Sequence, residues 1–319
     1  MWLRIILVSL LALAGAGRAF AWGRLGHQAI GELAADLLHE KARLQVKKIL
    51  GASELATAGV WLDELRAAER GTGGLAGDPE AVAFNQKFPD HHKWHFTNFP
   101  LGSATYSESS RFADPDDVVH QINACIASLE GRSTKFTPVE ALRVLTHLVG
   151  DVHQPLHVGT GFFDVRNPST PKLITAPSSV AGKSADLGGN KVRTGFGLFD
   201  SLHAYWDDTL VQRVAATGSA EKLATHLRSR VNHTKWRTPG DYHTWAAAWA
   251  TESVHQAALA YKGIMFTGAK LSAGKSLSAV AAELPSDYEA GQKPRAQAQL
   301  AKAAFHLAEL LNAIEWKTP

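Results

Sequence analysis

Histidine and aspartate recur at helical spacing near the middle of the chain. His147 and Asp151 are four residues apart in the segment His-Leu-Val-Gly-Asp-Val-His-Gln-Pro-Leu-His, which ends at His157. Residues at this spacing lie on one face of a helix, so an imidazole nitrogen and a carboxylate oxygen can meet at one metal ion. Pro155 is expected to end the helix and to let His157 turn back toward the same region.

A second pair, His203 and Asp207, has the same four-residue spacing. One such pair is more often a surface hydrogen bond or a salt link than a metal site. His147 and Asp151, however, lie in an apolar helix, where an unpaired carboxylate would be costly to bury. Two pairs together with His157 therefore favour metal coordination, and nitrogen with carboxylate oxygen suits Zn²⁺ better than Mn²⁺ or other divalent ions.

The first 21 residues have the features of a secretory signal peptide. Arg4 precedes a short apolar run over residues 5–17, and Ala19-Phe20-Ala21 forms a small-x-small cleavage site. The run is short for a membrane span, so a retained anchor is the less favoured alternative. We expect cleavage between Ala21 and Trp22, a mature domain over residues 22–319, secretion to the periplasm or the medium, and no stable membrane association.

Cleavage would give the mature chain a functional N-terminus. Trp22 would then offer a free amine and its own carbonyl oxygen, and both can chelate one metal ion. His27 lies five residues further along the chain and can complete the set. We therefore expect that processing is needed for activity.

The hydrophobic pattern predicts an all-α fold with a single helical domain. Residues 141–152 form a strongly apolar helix, which opens with a capping box of Thr137 and Glu140 and with Pro138 at the first helical position. A last helix is predicted over residues 295–315. Loops are expected at residues 71–78, 159–189 and 267–294, with a short helical piece at 278–283.

The composition excludes several classes of site. The 319 residues are 45% hydrophobic, which is enough for a full core, and residues 22–319 hold 31 Lys and Arg against 30 Asp and Glu. A sequence-independent binder of duplex DNA would normally have a strong basic excess. Cys125 is the only cysteine, so the sequence allows neither an intrachain disulfide nor a zinc-thiolate site. Its place on an apolar helix face predicts a buried structural thiol.

Six motifs resemble those of the S1/P1 nuclease family, within the superfamily of zinc-dependent phospholipases C and P1 nucleases. They occur in the family's order and, with the late helices, cover nearly all of the mature chain. Because it cannot form an intrachain disulfide, the chain resembles the bacterial-type members of the family. The motifs are Trp22-Gly-x-x-Gly-His27, Trp61-x-Asp63-x-x-Arg66, Trp94-His95-Phe96 before Pro100, His147-x-x-x-Asp151-x-His-Gln-Pro-Leu-His157, Gly188-Gly189-Asn190 and Leu202-His203-x-x-Trp206-Asp207.

The resemblance implies a trinuclear zinc cluster in a cleft. The first Zn²⁺ would bind to Asp63, His95, His147 and Asp151, and the second to Trp22, His27 and the shared Asp151. The third would bind to His157, His203 and Asp207. The remaining histidines, including His91, His92 and His243, are expected to be structural or surface residues, and His153 could support the ligands from behind.

The resemblance also implies a reaction and its substrates. The activity would be endonucleolytic hydrolysis of single-stranded DNA and RNA to 5′-phosphorylated products, with 3′-nucleotidase activity on nucleotides as an addition. Asp63, Arg66 and Asp151 would be catalytic, with Arg66 neutralising charge on the phosphate. Phe96 would stack on a base, although a plain core position is an equally good interpretation. Asn98 replaces an acidic residue of the family at a position associated with base contact.

Two other functions remain open at this stage. A zinc-dependent phospholipase C would use similar metals, but the short spacing from Trp22 to His27 and the aspartate at position 207 argue against it. A secreted zinc-binding protein without catalysis would explain the histidines, but it would not need Arg66. No obligate protein partner is indicated. The stretch from His157 to Gly188 is longer than is usual in the family, and we expect it to form a rim or lid near the metals.

Overall fold

The computed structural model describes residues 22–52, 54–195, 200–215 and 218–317. The predicted signal peptide and its cleavage site therefore lie outside the described residues. The helices are α1 (Gly23–Leu37), α2 (Glu40–Leu50), α3 (Leu55–Ala58), α4 (Trp61–Glu69), α5 (Pro79–Lys87), α6 (Val118–Leu129), α7 (Pro138–His153), α8 (Pro155–Val158), α9 (Leu202–Ala204), α10 (Leu210–Ala215), α11 (Ala220–Arg228), α12 (Trp245–Ala260) and α13 (Tyr288–Ala313). The strands are β1 (Phe99–Pro100), β2 (Gly159–Thr160), β3 (Phe162–Asp164), β4 (Lys172–Ile174), β5 (Ser184–Ala185), β6 (Val192–Arg193), β7 (Met265–Leu271) and β8 (Leu277–Glu283).

Helix α7 lies at the centre of the helical core. It packs against α6, α12 and α13 and also against α1 to α4. The predicted capping box is confirmed, because the Glu140 backbone N–H donates to Thr137 Oγ1 (3.2 Å) and the Thr137 N–H donates to Glu140 Oε2 (2.8 Å). Residues 144–153 are all buried, so the polar groups of this helix must be matched inside the protein. Cys125 of α6 is also fully buried, as predicted.

Two features after α7 place the next histidine. Pro155 ends α7 as predicted, but it also opens the short helix α8, which carries His157. Gln154 occupies the break, and its side chain accepts a hydrogen bond from the Leu156 N–H (2.6 Å). Strand β2 follows α8 and pairs in parallel with β1, with Phe99 opposite Gly159. This pairing holds the segment that follows His95 beside the segment that follows His157.

The prediction of an all-α fold is wrong in part, because the described residues include three small sheets beside the helical body. Strands β3, β4 and β5 form one antiparallel sheet within the predicted loop at 159–189. Strands β6, β8 and β7 form another, and β8 occupies the region predicted as a short helix at 278–283. Its three alanines favour a helix by intrinsic propensity, but burial of Leu277, Val280 and Ala282 in a paired strand decides the conformation.

The last helix begins earlier than predicted. Helix α13 starts at Tyr288 and ends at Ala313, whereas residues 295–315 were expected. Pro294 lies inside it, in the second turn, where the ring removes one backbone hydrogen bond near the helix start. Among the described residues, no helix is both long enough and apolar enough to cross a membrane.

Candidate metal centre

The structure brings eight of the predicted ligand side chains into three buried groups around α7. Within each group, one nitrogen or carboxylate oxygen of each residue lies within 4.8 Å of the others. The ligands come from α1, α4, α7, α8, α9 and two connecting segments, so separate parts of the chain build the centre. The groups are His27 with His147 and Asp151, Asp63 with His95 and His147, and His157 with His203 and Asp207.

Asp151 lies between the first two groups. Its Oδ1 faces His27 Nε2 at 3.2 Å, whereas its Oδ2 faces His95 Nδ1 at 2.9 Å and His147 Nε2 at 3.2 Å. Asp63 Oδ1 lies 3.9 Å from both of the latter nitrogens. One carboxylate therefore offers its two oxygens to two different sets of ligands, as a carboxylate that bridges two ions would.

The third group forms around His157 of α8, beyond the end of α7. His203 Nε2 is 3.3 Å from Asp207 Oδ2, and His157 Nε2 is 3.9 Å from Asp207 Oδ1. Helix α9 continues into a π-helical turn over Tyr205–Thr209, which places Asp207 on the same side as His203. Gln154 Nε2 donates to Asp207 Oδ1 (2.6 Å) and fixes the carboxylate. This glutamine belongs to the His-Gln-Pro motif, yet its role was not predicted.

Backbone carbonyls fix the tautomer of three histidines. A carbonyl oxygen only accepts, so the Nδ1 facing it carries a proton, and Nε2 is the nitrogen directed at the centre. This arrangement orients each ring before any metal binds. The pairs are His147 Nδ1 with the Gly59 oxygen (2.6 Å), His157 Nδ1 with the His95 oxygen (2.6 Å) and His203 Nδ1 with the Gly188 oxygen (2.7 Å).

Several atoms that face the three groups have no hydrogen-bond partner among the described residues. A buried polar atom in that state is costly, unless something outside the protein chain satisfies it. Imidazole nitrogens and carboxylate oxygens are ligands for metal ions, so bound metals would satisfy these atoms. The residues present therefore fit the metals that the sequence implied. The atoms are both ring nitrogens of His27, Asp63 Oδ1, His95 Nε2, Asp151 Oδ1, His157 Nε2 and Asp207 Oδ2.

Burial shifts the protonation of the groups. It raises the pKa of Asp63 to about 7 and that of Asp207 well above its usual value. Burial alone would lower the pKa of His147, but the charges on Asp151 and Asp63 outweigh it and raise that pKa to about 9. Burial lowers the pKa of His27 to about 4, because a buried imidazolium is disfavoured. Burial thus disfavours the charged forms of Asp63, Asp207 and His27, and bound divalent cations would favour the ionised carboxylates and neutral imidazoles that ligate them.

Trp22 is fully buried at the start of α1. Its indole Nε1 donates to the Gly150 oxygen (2.9 Å), and its carbonyl accepts from the Gly26 N–H (3.0 Å), which occupies one of its two lone pairs. The residue is thus anchored next to Asp151, on the helix that carries His147. Chelation by its amine and carbonyl stays a prediction.

Gly150 supports His27 in a way that was not predicted. A Cβ on Gly150 would lie 2.7 Å from Cε1 and Nδ1 of His27, closer than side chains approach. The His27 ring also stacks on His147, with ring centroids 4.0 Å apart. A lone glycine inside an apolar helix is the sequence signal that points to such a close approach.

A buried aspartate holds the turn that orients His203. Asp186 Oδ1 accepts from the N–H groups of Gly161 (3.0 Å) and Gly189 (3.1 Å), and its Oδ2 accepts from the Tyr261 hydroxyl (2.7 Å). Gly188 has φ +60°, and a Cβ there would lie 2.0 Å from the Leu156 oxygen. The Gly-Gly-Asn motif is therefore needed for a tight turn, while Asp186 and Tyr261 were missed because they are far apart in sequence.

Arg66 lies one turn after Asp63 on α4 and is half-buried. Among the described residues it has no ion-pair partner. Burial is the main cause of the lowered pKa values of His95, His157 and His203, and the Arg66 charge lowers them further, which places it within electrostatic reach of the two groups that contain these histidines. A free guanidinium in this position can attract a phosphate.

Phe96 and Asn98 lie in the segment between His95 and β1. Phe96 is half-buried, lies outside the hydrophobic core, and has no ring contact with a described aromatic residue. The observations thus favour an available ring over a core position. Asn98 is also half-buried, and its Oδ1 accepts from Thr160 Oγ1 (2.8 Å), which leaves its amide N–H groups available.

His153 does not contact a predicted ligand. Its Nδ1 donates to the Val149 oxygen (2.8 Å), its Nε2 lies 2.6 Å from His306 Nδ1, and its ring packs on Trp249. The contacts join α7 to α12 and α13. The residue is therefore part of the helix packing, as expected for the remaining histidines, and none of these contacts gives it the suggested role of supporting the ligands.

Comparison with known proteins agrees with the geometry. The S1/P1 nuclease family model matches residues 22–315. Endonuclease 3 of Arabidopsis thaliana is 26% identical over 72% of this chain and 70% of its own length. Nuclease P1 of Penicillium citrinum is 25% identical over 72% and 71%, and Nuclease S1 of Aspergillus oryzae is 23% identical over 70% and 66%. The chain belongs to the S1/P1 nuclease family and is a phosphodiester hydrolase of that type.

Proposed function

We propose that this chain is a zinc-dependent endonuclease that hydrolyses single-stranded DNA and RNA to 5′-phosphorylated products, with 3′-nucleotidase activity at the same site. The single observation that carries the proposal is the convergence of three buried His/Asp groups whose facing atoms lack partners. The family membership supports the nuclease reaction. No observation favours phospholipase C activity or metal storage.

Three zinc ions would account for the three groups. Asp63, His95, His147 and Asp151 would hold the first, Trp22, His27 and Asp151 the second, and His157, His203 and Asp207 the third. The two-sided contacts of Asp151 support its role as the shared ligand. When bound, zinc supplies Lewis-acid charge to phosphate oxygens and acidifies water near neutral pH.

The side chains around the metals would divide the remaining work. Asp63 would bind metal and orient the attacking water, because its Oδ1 lies 3.9 Å from both His95 Nδ1 and His147 Nε2 and has no hydrogen-bond partner among the described residues. The Arg66 guanidinium would bind a non-bridging phosphate oxygen and neutralise charge that develops in the transition state. Its lack of a partner among the described residues supports this role, since no internal carboxylate competes with the phosphate.

Phe96 and Asn98 would bind the base beside the cleaved bond. A half-buried ring outside the core can stack on any base, which favours binding without sequence preference. Thr160 holds the Asn98 oxygen, so Asn98 would offer N–H donors to the base. The metal groups are buried, and a base stacked inside a duplex would keep its phosphate from reaching them. These features support the preference for single strands.

We further propose that activity requires cleavage between Ala21 and Trp22 and export of the protein. An uncleaved chain would carry an amide at Trp22 instead of the amine that the second zinc needs. N-terminal sequencing of the secreted protein, with zinc content measured on cleaved and uncleaved forms, tests this. Equal zinc content in both forms would contradict the role of the amine.

The test of the function is hydrolysis of single-stranded DNA and RNA by the processed protein before chelation, after EDTA and after zinc is restored. We expect loss with EDTA, recovery with zinc, and products that a 5′-phosphate-dependent exonuclease can degrade. Asp151→Asn should abolish turnover and reduce bound zinc, whereas the control Asp90→Asn changes an exposed carboxylate and should do neither. No hydrolysis by the zinc-loaded protein would refute the proposal.

A further inference from the structure

Positive charge is concentrated in the strand-containing segments beside the metal groups. Residues 159–195 and 262–283 together hold eight Lys and Arg against three Asp and Glu. The rest of residues 22–319 holds 23 Lys and Arg against 27 Asp and Glu. A chain that is nearly neutral as a whole thus has a cationic part set against an anionic remainder.

Two of these cations pair with the carboxylate of Asp164, and two more lie on the neighbouring strands β4 and β7. Asp164 of β3 pairs with Arg166 and with Lys183, whose Nζ lies 3.0 Å from Asp164 Oδ2, and it is opposite Lys172 in the strand register. The Ala269 N–H donates to the Pro168 oxygen (2.7 Å), which brings Lys270 next to the loop after Arg166. We name Arg166, Lys172, Lys183 and Lys270 the basic lobe.

The basic lobe stands on a packed base. Phe163 of β3 is fully buried and meets the ring of Phe266 on β7 edge to face, with centroids 4.8 Å apart. This contact joins the two three-stranded sheets. Arg166, Lys172 and Lys270 remain exposed, so three of the four cations face water while the backbone beneath them is held. Asp164 neutralises only part of their charge.

Thr160 connects the basic lobe to the metal centre. Thr160 of β2 accepts from the Gly188 N–H (3.2 Å), and Gly188 orients His203. The same hydroxyl contacts Asn98. From Thr160 the chain runs into β3 and reaches Asp164 four residues later, which is at most about 13 Å along an extended strand. A strand whose phosphate lies at the metal groups could therefore reach the lobe within a few nucleotides.

We propose that the basic lobe binds the phosphate backbone of a single-stranded nucleic acid a few nucleotides away from the bond that is cleaved. The proposal rests on the proposed function. Exposed guanidinium and ammonium groups attract phosphates without reading bases, which suits a substrate of any sequence. The lobe gives long strands an advantage over dinucleotides, because a dinucleotide that occupies the metal groups does not extend to it.

The test compares a triple variant with a control of equal charge change. Arg166→Gln, Lys172→Gln and Lys270→Gln remove the three exposed cations and leave the Asp164–Lys183 pair in place. The control Lys41→Gln, Lys47→Gln and Lys48→Gln removes three exposed cations of α2, outside the lobe. Both are measured for kcat/KM on a 15-nucleotide strand and on a dinucleotide, over a range of salt concentrations.

The lobe variant should lose about tenfold or more in kcat/KM on the 15-nucleotide strand at low salt. Its slope of log(kcat/KM) against log salt should become shallower by about 2, since each lost contact with a single strand contributes about 0.7. Hydrolysis of the dinucleotide should stay within about twofold of the wild type. Equal losses in the lobe and control variants, or no loss in the lobe variant, would overturn the proposal.

A binding assay separates this proposal from the proposed function. Fluorescent dT15 is titrated with each protein in EDTA, where the expected hydrolysis is absent, and vesicles of phosphatidylglycerol are titrated in parallel. Weaker dT15 binding by the lobe variant alone would support the lobe even if the wild type proved unable to cut phosphodiesters. Binding of the vesicles, but not of dT15, through the lobe would overturn the proposal in favour of a membrane surface.

Discussion

The replacement Gly150→Ala should impair zinc binding without removing a ligand. The added Cβ would lie 2.7 Å from the His27 ring, whereas ordinary contacts begin at 3.4 Å, so the ring must shift by about 0.7 Å. Metal–ligand distances tolerate only about 0.2 Å. The ring is also stacked on His147, so it cannot move without disturbing a second ligand. We expect zinc affinity to fall by about 10- to 100-fold, the range known for residues that orient ligands.

The stability of the protein should change much less than its zinc affinity. Overpacking costs about 1–3 kcal/mol, and the better helix propensity of alanine returns up to about 1 kcal/mol. The net destabilisation without zinc is then about 0–3 kcal/mol. Gly291→Ala is the matched control, because Gly291 lies in α13 with open space where the Cβ would sit.

The assays are zinc competition with a chromophoric chelator, zinc content per chain, and kcat/KM on a single-stranded oligonucleotide. Gly291→Ala should keep the zinc affinity and activity of the wild type, and it should unfold at an equal or slightly higher temperature. Wild-type zinc affinity in Gly150→Ala would refute the reasoning, because His27 would then not be a ligand held by close contact with α7.

Three further predictions concern residues around the centre. Tyr261→Phe should destabilise the protein by about 1–3 kcal/mol and lower activity about tenfold, because Asp186 loses a hydrogen bond. A variant that unfolds at a lower temperature but keeps its full activity would contradict the role of the turn in orienting His203. Phe96→Leu should raise KM for a dinucleotide about tenfold but leave bis(p-nitrophenyl) phosphate, which has no base, unaffected; equal effects on both would exclude stacking. Burial lowers the pKa of His91 to about 4, so as pH falls below 6.5 this histidine binds a proton in the unfolded chain before it does in the folded one. The free energy of unfolding of the wild type should therefore fall by about 2 kcal/mol more between pH 7 and pH 5 than that of His91→Leu. Equal falls in the two proteins, measured by chemical denaturation at both pH values, would contradict this prediction.

The sequence predicted the parts of the centre that depend on local spacing. The four-residue intervals from His147 to Asp151 and from His203 to Asp207 bring their side chains together because a helix and a π-helical turn underlie them. The capping box at Thr137 is equally local, since both of its hydrogen bonds join residues three apart. Patterns of this kind are readable because the backbone geometry within one helix is nearly fixed.

The sheets were missed because their pairing is long-range. Val192 of β6 lies opposite Val280 of β8, and the two positions are 88 apart in the sequence. Within a short window, the alanine-rich segment of β8 has the composition of a helix, and only its distant partners favour a strand. The contact of Tyr261 with Asp186 is long-range in the same sense, so the support behind His203 required the folded structure.

Each of the three buried His/Asp groups should hold a zinc ion in the processed protein. Anomalous diffraction at the zinc edge from crystals of the processed protein tests this directly. We predict three peaks, of which two lie on either side of Asp151, about 3.5–4 Å apart, and the third lies among His157, His203 and Asp207. Crystals of active protein with no peak at these groups, or with zinc bound elsewhere in the chain, would contradict the account.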